Sequence, residues 1–369
     1  MSQEYQLCKR CVMDTTDDEI SFDEQGFCNH CNKYFDLAPK TLHHGTDGKK
    51  ALETLVNEIK AQGKNKEYDC IIGLSGGVDS TYVAYRVREL GLKPLAVHFD
   101  SGWNSELAVK NIENIVKKLD IDLYTHVCDW EEMKDLQLSY FKAGVINADV
   151  PMDHAFLVVL NRIARKNKLK FFITGHNFET EGILPSSWVF GANDGRNLKA
   201  IQKTYGTMKL KEYPVSTLVE ELYNDYFYKL QKIRILNYEP YNKAEVMKFI
   251  EKELGWKYYG GKHYESVFTR FYQGHYLVER FGKDKRRAHL SSLICSGQID
   301  RKTALQELKK PAYTNLDLLE EDKEYIPKKL GITMKEFTKI MNEPIKSHYD
   351  FPNNHSAKNT LRRIKKIIS

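Results

Sequence analysis

The chain holds 369 residues, 41% of them apolar and 12% aromatic, with 22 tyrosines and 17 phenylalanines. That content supports a sizeable core and excludes a wholly disordered chain, and no continuous apolar run reaches the roughly 18 residues of a membrane-spanning helix. Fifty-six Lys and Arg against 50 Asp and Glu leave a formal charge of +6, which suits phosphate-bearing ligands without demanding nucleic acid or a membrane as partner.

The first residues, Met1 to Gln6, lack the basic end and apolar stretch of a signal peptide, so a cytoplasmic protein is expected. Residues 1–45 read as a small module short of apolar runs, with an acidic stretch from Asp14 to Glu24. Four of the seven cysteines fall here, as Cys8-Lys-Arg-Cys11 and Cys28-Asn-His-Cys31, two C-x-x-C knuckles 16 residues apart. Tetrahedral zinc takes four thiolates, and a C-x-x-C turn lets two sulfurs reach one ion. The metal would then supply much of the module's folding free energy. Two disulfides, or an iron–sulfur cluster on the same thiolates, are the rival readings. Four protein ligands leave no open position, so the expected zinc is structural, and His30 is a neighbour rather than a ligand. Leu42 to Gly48 reads as a linker.

Residues 46–240 alternate helix and strand. Leu52, Leu55, Val56 and Ile59 recur at helical spacing. Tyr68–Leu74 is the short apolar run of a buried parallel strand. It enters Ser75-Gly-Gly-Val-Asp-Ser80 and then a helix with Val83, Val87 and Leu90 on one face, closed by Gly91. Further strands are expected over Leu95–Phe99, Asp122–Val127 and Lys170–Thr174, with helices over Glu106–Leu119 and about Asp153–Lys166. This alternation predicts an α/β fold built on a doubly wound parallel sheet, with every strand's C-terminal end on one edge. Residues 241–369 read as a mainly helical, aromatic and basic region for substrate and partner. It holds an amphipathic helix over Ala244–Leu254, and its tail from Ser356 to Ser369 carries five Lys or Arg and no acid.

The hexapeptide Ser75–Ser80 lies between a buried strand and an amphipathic helix. Its glycines admit a ligand close to the backbone, and the helix start offers unpaired N–H groups and a positive dipole end. Ser75 and Ser80 add hydroxyls, and Asp79 can hold Mg²⁺ or orient a water. The Lys-Ser/Thr pair of a Walker A loop is missing.

The hexapeptide matches the SGGxDS loop of the ATP-pyrophosphatase (PP-loop) superfamily, which the chain resembles here. The resemblance implies cleavage of ATP between its α- and β-phosphates, with AMP passing to a carbonyl or amide oxygen. It implies that Ser75, Gly76, Gly77, Val78, Asp79 and Ser80 hold the nucleotide's phosphates. Val97, His98 and Phe99 would lie on the adenine side, and Asp100 and Ser101 nearer the ribose or phosphate. Gly175, His176 and Asn177, with Thr174 and Glu179, would border nucleotide and acceptor.

In the C-terminal region, Gly255–Glu265 and Arg280–Leu290 alternate aromatics with His, Glu, Arg and Lys, which suits ring stacking beside anionic groups. Lys285, Arg286 and Arg287 suit a pyrophosphate or carboxylate, although a solvated basic helix face is the plainer reading of the charges. Gly260-Gly-Lys-His-Tyr-Glu265 and Asp284-Lys-Arg-Arg-Ala-His-Leu-Ser-Ser292, with the cysteine quartet and the loop, resemble the N-acetyl sugar amidotransferase family over nearly the whole chain. That resemblance implies conversion of a sugar N-acetyl group to an acetamidino group, in O-antigen or pseudaminic- and legionaminic-type acid biosynthesis. It implies ATP, Mg²⁺ and structural Zn²⁺, with a nucleotide-linked or acidic N-acetylated sugar as substrate. Ammonia would come from a separate glutamine amidotransferase working with a cyclase-like channel subunit. Asp79, Lys285, Arg286, Glu265 and His263 become the catalytic candidates, the last two as base. A PP-loop tRNA thiolase with an N-terminal zinc finger is the alternative, set against the scatter of Cys70, Cys128 and Cys295. A zinc-bearing adaptor that binds nucleotide without cleaving it is a third.

Overall fold

The structure, a computed structural model, describes residues 4–261, 263–313 and 315–355. The basic tail read over Ser356–Ser369 lies outside the described residues. Five parallel strands form one sheet in the order β3-β2-β1-β4-β5: β1 (Cys70–Gly73), β2 (Pro94–Asp100), β3 (Asp122–Val127), β4 (Phe171–Ile173) and β5 (Gln231–Ile233). Ile71 sits opposite both Leu95 and Phe172, which makes β1 the centre.

Side chains alternate across the pleat. Cys70, Ile72, Ala96, Phe171 and Ile173 enter one core, whereas Ile71, Leu95, Val97, Phe99 and Phe172 enter the other. The first core is closed by α2 (Gly45–Gln62), α3 (Val78–Glu89), α4 (Glu106–Leu119) and α10 (Lys243–Leu254). The second is closed by α5 (Trp130–Ala143), α6 (Val150–Lys166) and α8 (Gly195–Tyr205). Both faces are covered, as a doubly wound parallel sheet requires. The strand order reverses between β1 and β4, and the crevice at that switch point is where such sheets take ligands.

The N-terminal segment carries α1 (Asn29–Thr41), and α7 (Phe178–Glu181) and α9 (Leu218–Leu222) lie in the connections beyond β4. After α10 come α11 (Val267–Phe271), a π-turn over Tyr272–Tyr276, and α12 (Leu277–Phe281), which run on as one element. The widened turn lets both Tyr272 and Tyr276 reach full burial. They join Trp103, Phe141 and Phe268 in a third core under α15 (Leu316–Lys329) and α16 (Met334–Asn342). Between α12 and α15 in the chain lie α13 (Arg286–Cys295) and α14 (Arg301–Lys309). No described helix is long and apolar enough to cross a membrane.

Several boundaries differ from the sequence reading. The expected linker is helical from Gly45, so its coil shrinks to residues 42–44. The helix expected from Asp153 starts at Val150, because Pro151 fits the first turn. Helix α5 escaped the periodicity because four of its buried residues are polar: Glu132, Asp135, Gln137 and Ser139. Glu132 accepts backbone N–H groups of Lys211 and Tyr213 at 2.7 Å, and Asp135 that of Thr207 at 3.0 Å, so both carboxylates fasten a loop. Strand β5 is a short polar edge strand with no apolar signal. The cysteine module is not coreless either. Its sulfurs, Met13, Ile20 and Tyr34 share a buried cluster with Phe178, Trp188 and Ala288.

Candidate functional site

Strand β1 ends in the Ser75–Ser80 loop at the C-terminal edge of the sheet. Gly76 has φ +80°, and a Cβ there would lie 2.7 Å from the carbonyl oxygen of Ala108, so the turn requires glycine. Gly77 caps α3 with no side-chain hydrogen bond, which leaves the helix N-terminus open to an anion. Two hydroxyls shape the loop: Ser80 Oγ accepts from Ser75 N at 3.3 Å, and Ser75 Oγ accepts from Gly77 N at 3.2 Å. The Trp256 indole donates to Gly76 O at 2.8 Å and fixes the turn from the C-terminal side.

Asp79 is held by the Tyr241 hydroxyl and by Lys243 Nζ at 3.6 Å. Tyr241 N also donates to Glu179 Oε2 at 2.6 Å, tying the loop to the chain after β4. Gly175 packs directly on the loop, since a Cβ there would lie 3.0 Å from the Asp79 carbonyl carbon and 3.1 Å from Ser80 N. Asn177 caps α7 by accepting from Thr180 N at 2.9 Å, and His176 faces Glu181 Oε2 at 2.8 Å, which raises its pKa. The loops after β1 and β4 thus form the two walls of the switch-point crevice.

The C-terminal region supplies the third wall. Ser105 N donates to Glu265 O at 2.8 Å and Val267 N to Trp103 O at 2.9 Å, so residues 265–267 run beside the chain leaving β2. Glu265 Oε1 and Tyr259 Oη stand 3.4 and 3.5 Å from where a Gly77 Cβ would be. Burial opposes the charge of Glu265, but His263 at 3.5 Å and the nearby Lys243 outweigh it and hold the carboxyl below its usual range. Glu265 Oε2 is buried with no hydrogen-bond partner among the described residues.

Beyond Glu265 lies a cluster that the sequence reading missed in part. Asp149, at the start of α6, accepts from Thr269 Oγ1 at 3.3 Å. Burial, with Asp153 beside it, pushes its pKa up to about 8. Asp153, which is more exposed, is raised as well by the protein packed around it, against the opposing charges of Lys285, His263 and His176. Lys285 Nζ stands 5.2 Å from the Tyr272 ring, and burial lowers its pKa despite the two aspartates. The only sequence signal for the pair is acids flanking Pro151 at a helix start, a common pattern. Tyr241, Lys243, Tyr259 and Trp256 gave no signal apart from lying among aromatic and basic residues.

Other expected site residues lie elsewhere. The Val97 and Phe99 side chains point into the second core, so neither side chain is open to an adenine. His98 faces the opposite way: Nδ1 donates to Leu74 O at 2.9 Å, Nε2 meets Asn104 Nδ2 at 3.2 Å, and burial lowers its pKa. Asp100 Oδ1 accepts from Gly102 N and Asn104 and shapes the turn after β2. Arg286 is turned away from the loop: it pairs with Asp284 at 2.7 Å and donates to the carbonyls of Lys310 and Pro311 at 3.0 Å. Arg287 pairs with buried Asp14 at 2.9 Å. Of the basic trio, Lys285 alone is placed among the cleft's charges.

Cys8, Cys11, Cys28 and Cys31 are buried, free of disulfides, and bring four sulfurs within 4.8 Å of one another. The Cys8–Cys31 and Cys11–Cys28 sulfur distances are 3.8 and 3.7 Å. A tetrahedron with metal–sulfur bonds of about 2.3 Å has edges of about 3.8 Å, so the set fits one tetrahedral ion. Backbone N–H groups of Cys11, Met13, Cys28 and Cys31 point at these sulfurs from 3.2 to 3.4 Å, as thiolates would require. His30 bonds Asp17 at 2.6 Å and takes no part in the quartet. A fifth sulfur, Cys295 Sγ, lies 3.9 Å from Cys31 Sγ. The sequence reading left Cys295 as a scattered singleton because 264 residues separate it from Cys31.

Residues 265–366 match the family model described as LPS biosynthesis protein WbpG-like, C-terminal domain. The match begins at Glu265 and includes Lys285, the two C-terminal groups set against the phosphate loop and the acidic cluster. Comparison with curated proteins gave no match. Among solved structures, the chain is similar to an NH₃-dependent NAD synthetase from Campylobacter jejuni, with 16% identity and a TM-score of 0.34, over 72% of this chain and 98% of that one. It is similar to an NMN synthetase from Francisella tularensis, with 15% identity and a TM-score of 0.31, over 65% and 97%. It is also similar to the U34-tRNA thiolase NcsA from Methanococcus maripaludis, solved with its 4Fe–4S cluster, with 14% identity and a TM-score of 0.33, over 82% and 88%. Scores this low say nothing about chemistry in this chain.

Proposed function

We propose that the chain is an ATP-dependent amidotransferase that converts the N-acetyl group of a sugar to an acetamidino group, for a bacterial surface polysaccharide or a nonulosonic acid. The observation that carries this reading is the approach of the WbpG-like segment to the loop. Glu265 stands against Gly77, and Lys285 lies among Asp149 and Asp153 in the same cleft. An anion site and an acid–base cluster in one crevice suit adenylation followed by displacement.

In the first step, the amide oxygen attacks the α-phosphorus of ATP and pyrophosphate leaves. The open end of α3 and the Ser75 and Ser80 hydroxyls hold the departing anion. Mg²⁺ beside Asp79 would neutralise charge on the phosphates. In the second step, ammonia attacks the activated carbon, a proton passes to a carboxylate of the cleft, and AMP departs with the former amide oxygen. The balance is ATP, amide and ammonia in, and acetamidine, AMP and pyrophosphate out. Ammonia is supplied by a separate glutamine amidotransferase with a cyclase-like channel subunit. The quartet holds a structural zinc. The 3.7 and 3.8 Å separations between its sulfurs support one tetrahedral ion over a cluster with iron and sulfide interposed.

The test is to incubate the protein with ATP, ammonium and nucleotide-linked or acidic N-acetyl sugars. AMP, pyrophosphate and a sugar with one oxygen exchanged for NH are expected by mass spectrometry. Asp79→Ala should abolish pyrophosphate release. Thiouridine formation in tRNA with no sugar turnover would overturn the proposal in favour of a thiolase. Against that outcome, Cys70 and Cys128 are buried in the cores beside the sheet, where burial pushes Cys128 up to about 12, and Cys295 lies against the quartet.

A further inference from the structure

Helix α13 spans the distance between the cysteine centre and the cleft. Lys285, its N-cap, stands beside the Tyr272 ring at the acidic cluster. Cys295, its last residue, touches Cys31 at 3.9 Å. Between these ends the helix is fastened to the module along one face. Arg287 pairs with Asp14 at 2.9 Å and donates to Val12 O at 3.0 Å. Val12 N donates to Ser291 Oγ at 3.2 Å. Ala288 is fully buried in the cluster that holds all four metal-binding cysteines. From α14, Arg301 donates to the carbonyls of Cys8 at 2.8 Å and Cys11 at 3.0 Å, within the first knuckle itself.

These links make α13 and the module one packed unit. Ten helical residues make a strut of about 15 Å. Fixing one end and one face of such a strut fixes the backbone from which the side chain at the other end projects. The fastening at Arg287 is costly to lose, because Asp14 is fully buried and would keep only its neutral partners, the Tyr5 hydroxyl and the N–H and hydroxyl of Thr16, without a cation.

We infer that the four-cysteine centre positions Lys285 in the cleft through α13, with Arg287 and Ser291 as the positioning residues that transmit the placement. The inference rests on the proposed function for what Lys285 does there, but not for where it is held. The metal-bound knuckles set the backbone of Val12 and Asp14, these hold Arg287 and Ser291, and the helix presents Lys285 at the ring of Tyr272.

The experiment uses the full chain loaded with zinc, with Arg287→Ala, Ser291→Ala and the conservative Arg287→Lys. Metal content is measured first. The main readout is the rate at which a small acylating reagent acetylates Lys285, with Lys252, whose side chain is 83% exposed, as internal control. Removing the fastening should raise Lys285 labelling by about threefold or more while Lys252 stays constant. Arg287→Lys should restore part of the protection. Chelating the wild-type protein should raise Lys285 labelling in the same way, and returning zinc should reverse it. In turnover, kcat for pyrophosphate release should fall by about tenfold with KM for ATP nearly unchanged. Lys285 labelling that ignores the metal and both alanine variants overturns the inference, whatever happens to thermal stability. Labelling that responds in a protein without sugar turnover would leave the coupling standing and sink the amidotransferase reading alone.

Discussion

At the scale of single residues, backbone geometry and burial decide the chemistry. Gly76→Ala forces a side chain into positive φ and into the Ala108 carbonyl, so it should destabilise the fold by about 1–3 kcal/mol and abolish nucleotide binding by calorimetry. His348 shows what burial does to a base. Its ring stacks on Phe190 at 4.3 Å, its Nε2 accepts from Asn147 N at 3.3 Å, and burial drops its pKa from 6.5 to about 3. The folded value lies below the unfolded one, so the stabilisation is complete above pH 6.5 and is lost as the pH falls toward 3. The loss is about 1.4 kcal/mol per pH unit in that window. Urea midpoints between pH 7 and pH 5 should therefore fall less steeply in His348→Gln than in the wild type; equal slopes would refute the assignment. None of this could be read from the sequence, where His348 is one of 12 histidines in a polar stretch.

At the scale of elements, the phosphate loop is built by pieces far apart in the chain. Strand β1 and α3 supply its backbone, but Trp256, 180 residues away, holds Gly76 O. Trp256→Phe keeps an aromatic ring but removes this hydrogen bond, leaving a buried carbonyl unsatisfied at about 1–3 kcal/mol. KM for ATP should rise by about tenfold, with little loss of kcat. Helix α4, from Glu106 to Leu119, was legible in the sequence to the residue, because its apolar stripe is regular and Ser105 caps it by accepting from Ala108 N. Helix α5 was not legible, because Glu132 and Asp135 spend their burial on loop N–H groups and so break the stripe.

At the scale of the whole molecule, the cysteine module, the loop after β4 and α13 share one buried cluster, so metal loss should spread beyond the module. Mass spectrometry should find about one metal ion per chain. Stripping it, or introducing Cys28→Ser, should lower the main thermal transition by about 5 °C or more rather than add a small separate one. An unchanged main transition would show the module to be energetically independent. Stoichiometric iron and sulfide would contradict a zinc site.

The sequence by itself determined the parallel α/β sheet, the four clustered cysteines and the glycine-rich loop at the end of β1. These are local signals: apolar runs, two C-x-x-C turns and a glycine-rich strand-to-helix junction act over a few residues. Tertiary structure alone decided that Val97 and Phe99 belong to a core, that Arg286 and Arg287 serve as ties while Lys285 reaches the cleft, and that Asp149, Asp153 and Cys295 stand at the two centres. The reason is physical. A side chain's charge and reactivity follow from what surrounds it in space, and for Asp149, Arg287 and Cys295 the surroundings come from segments more than a hundred residues away.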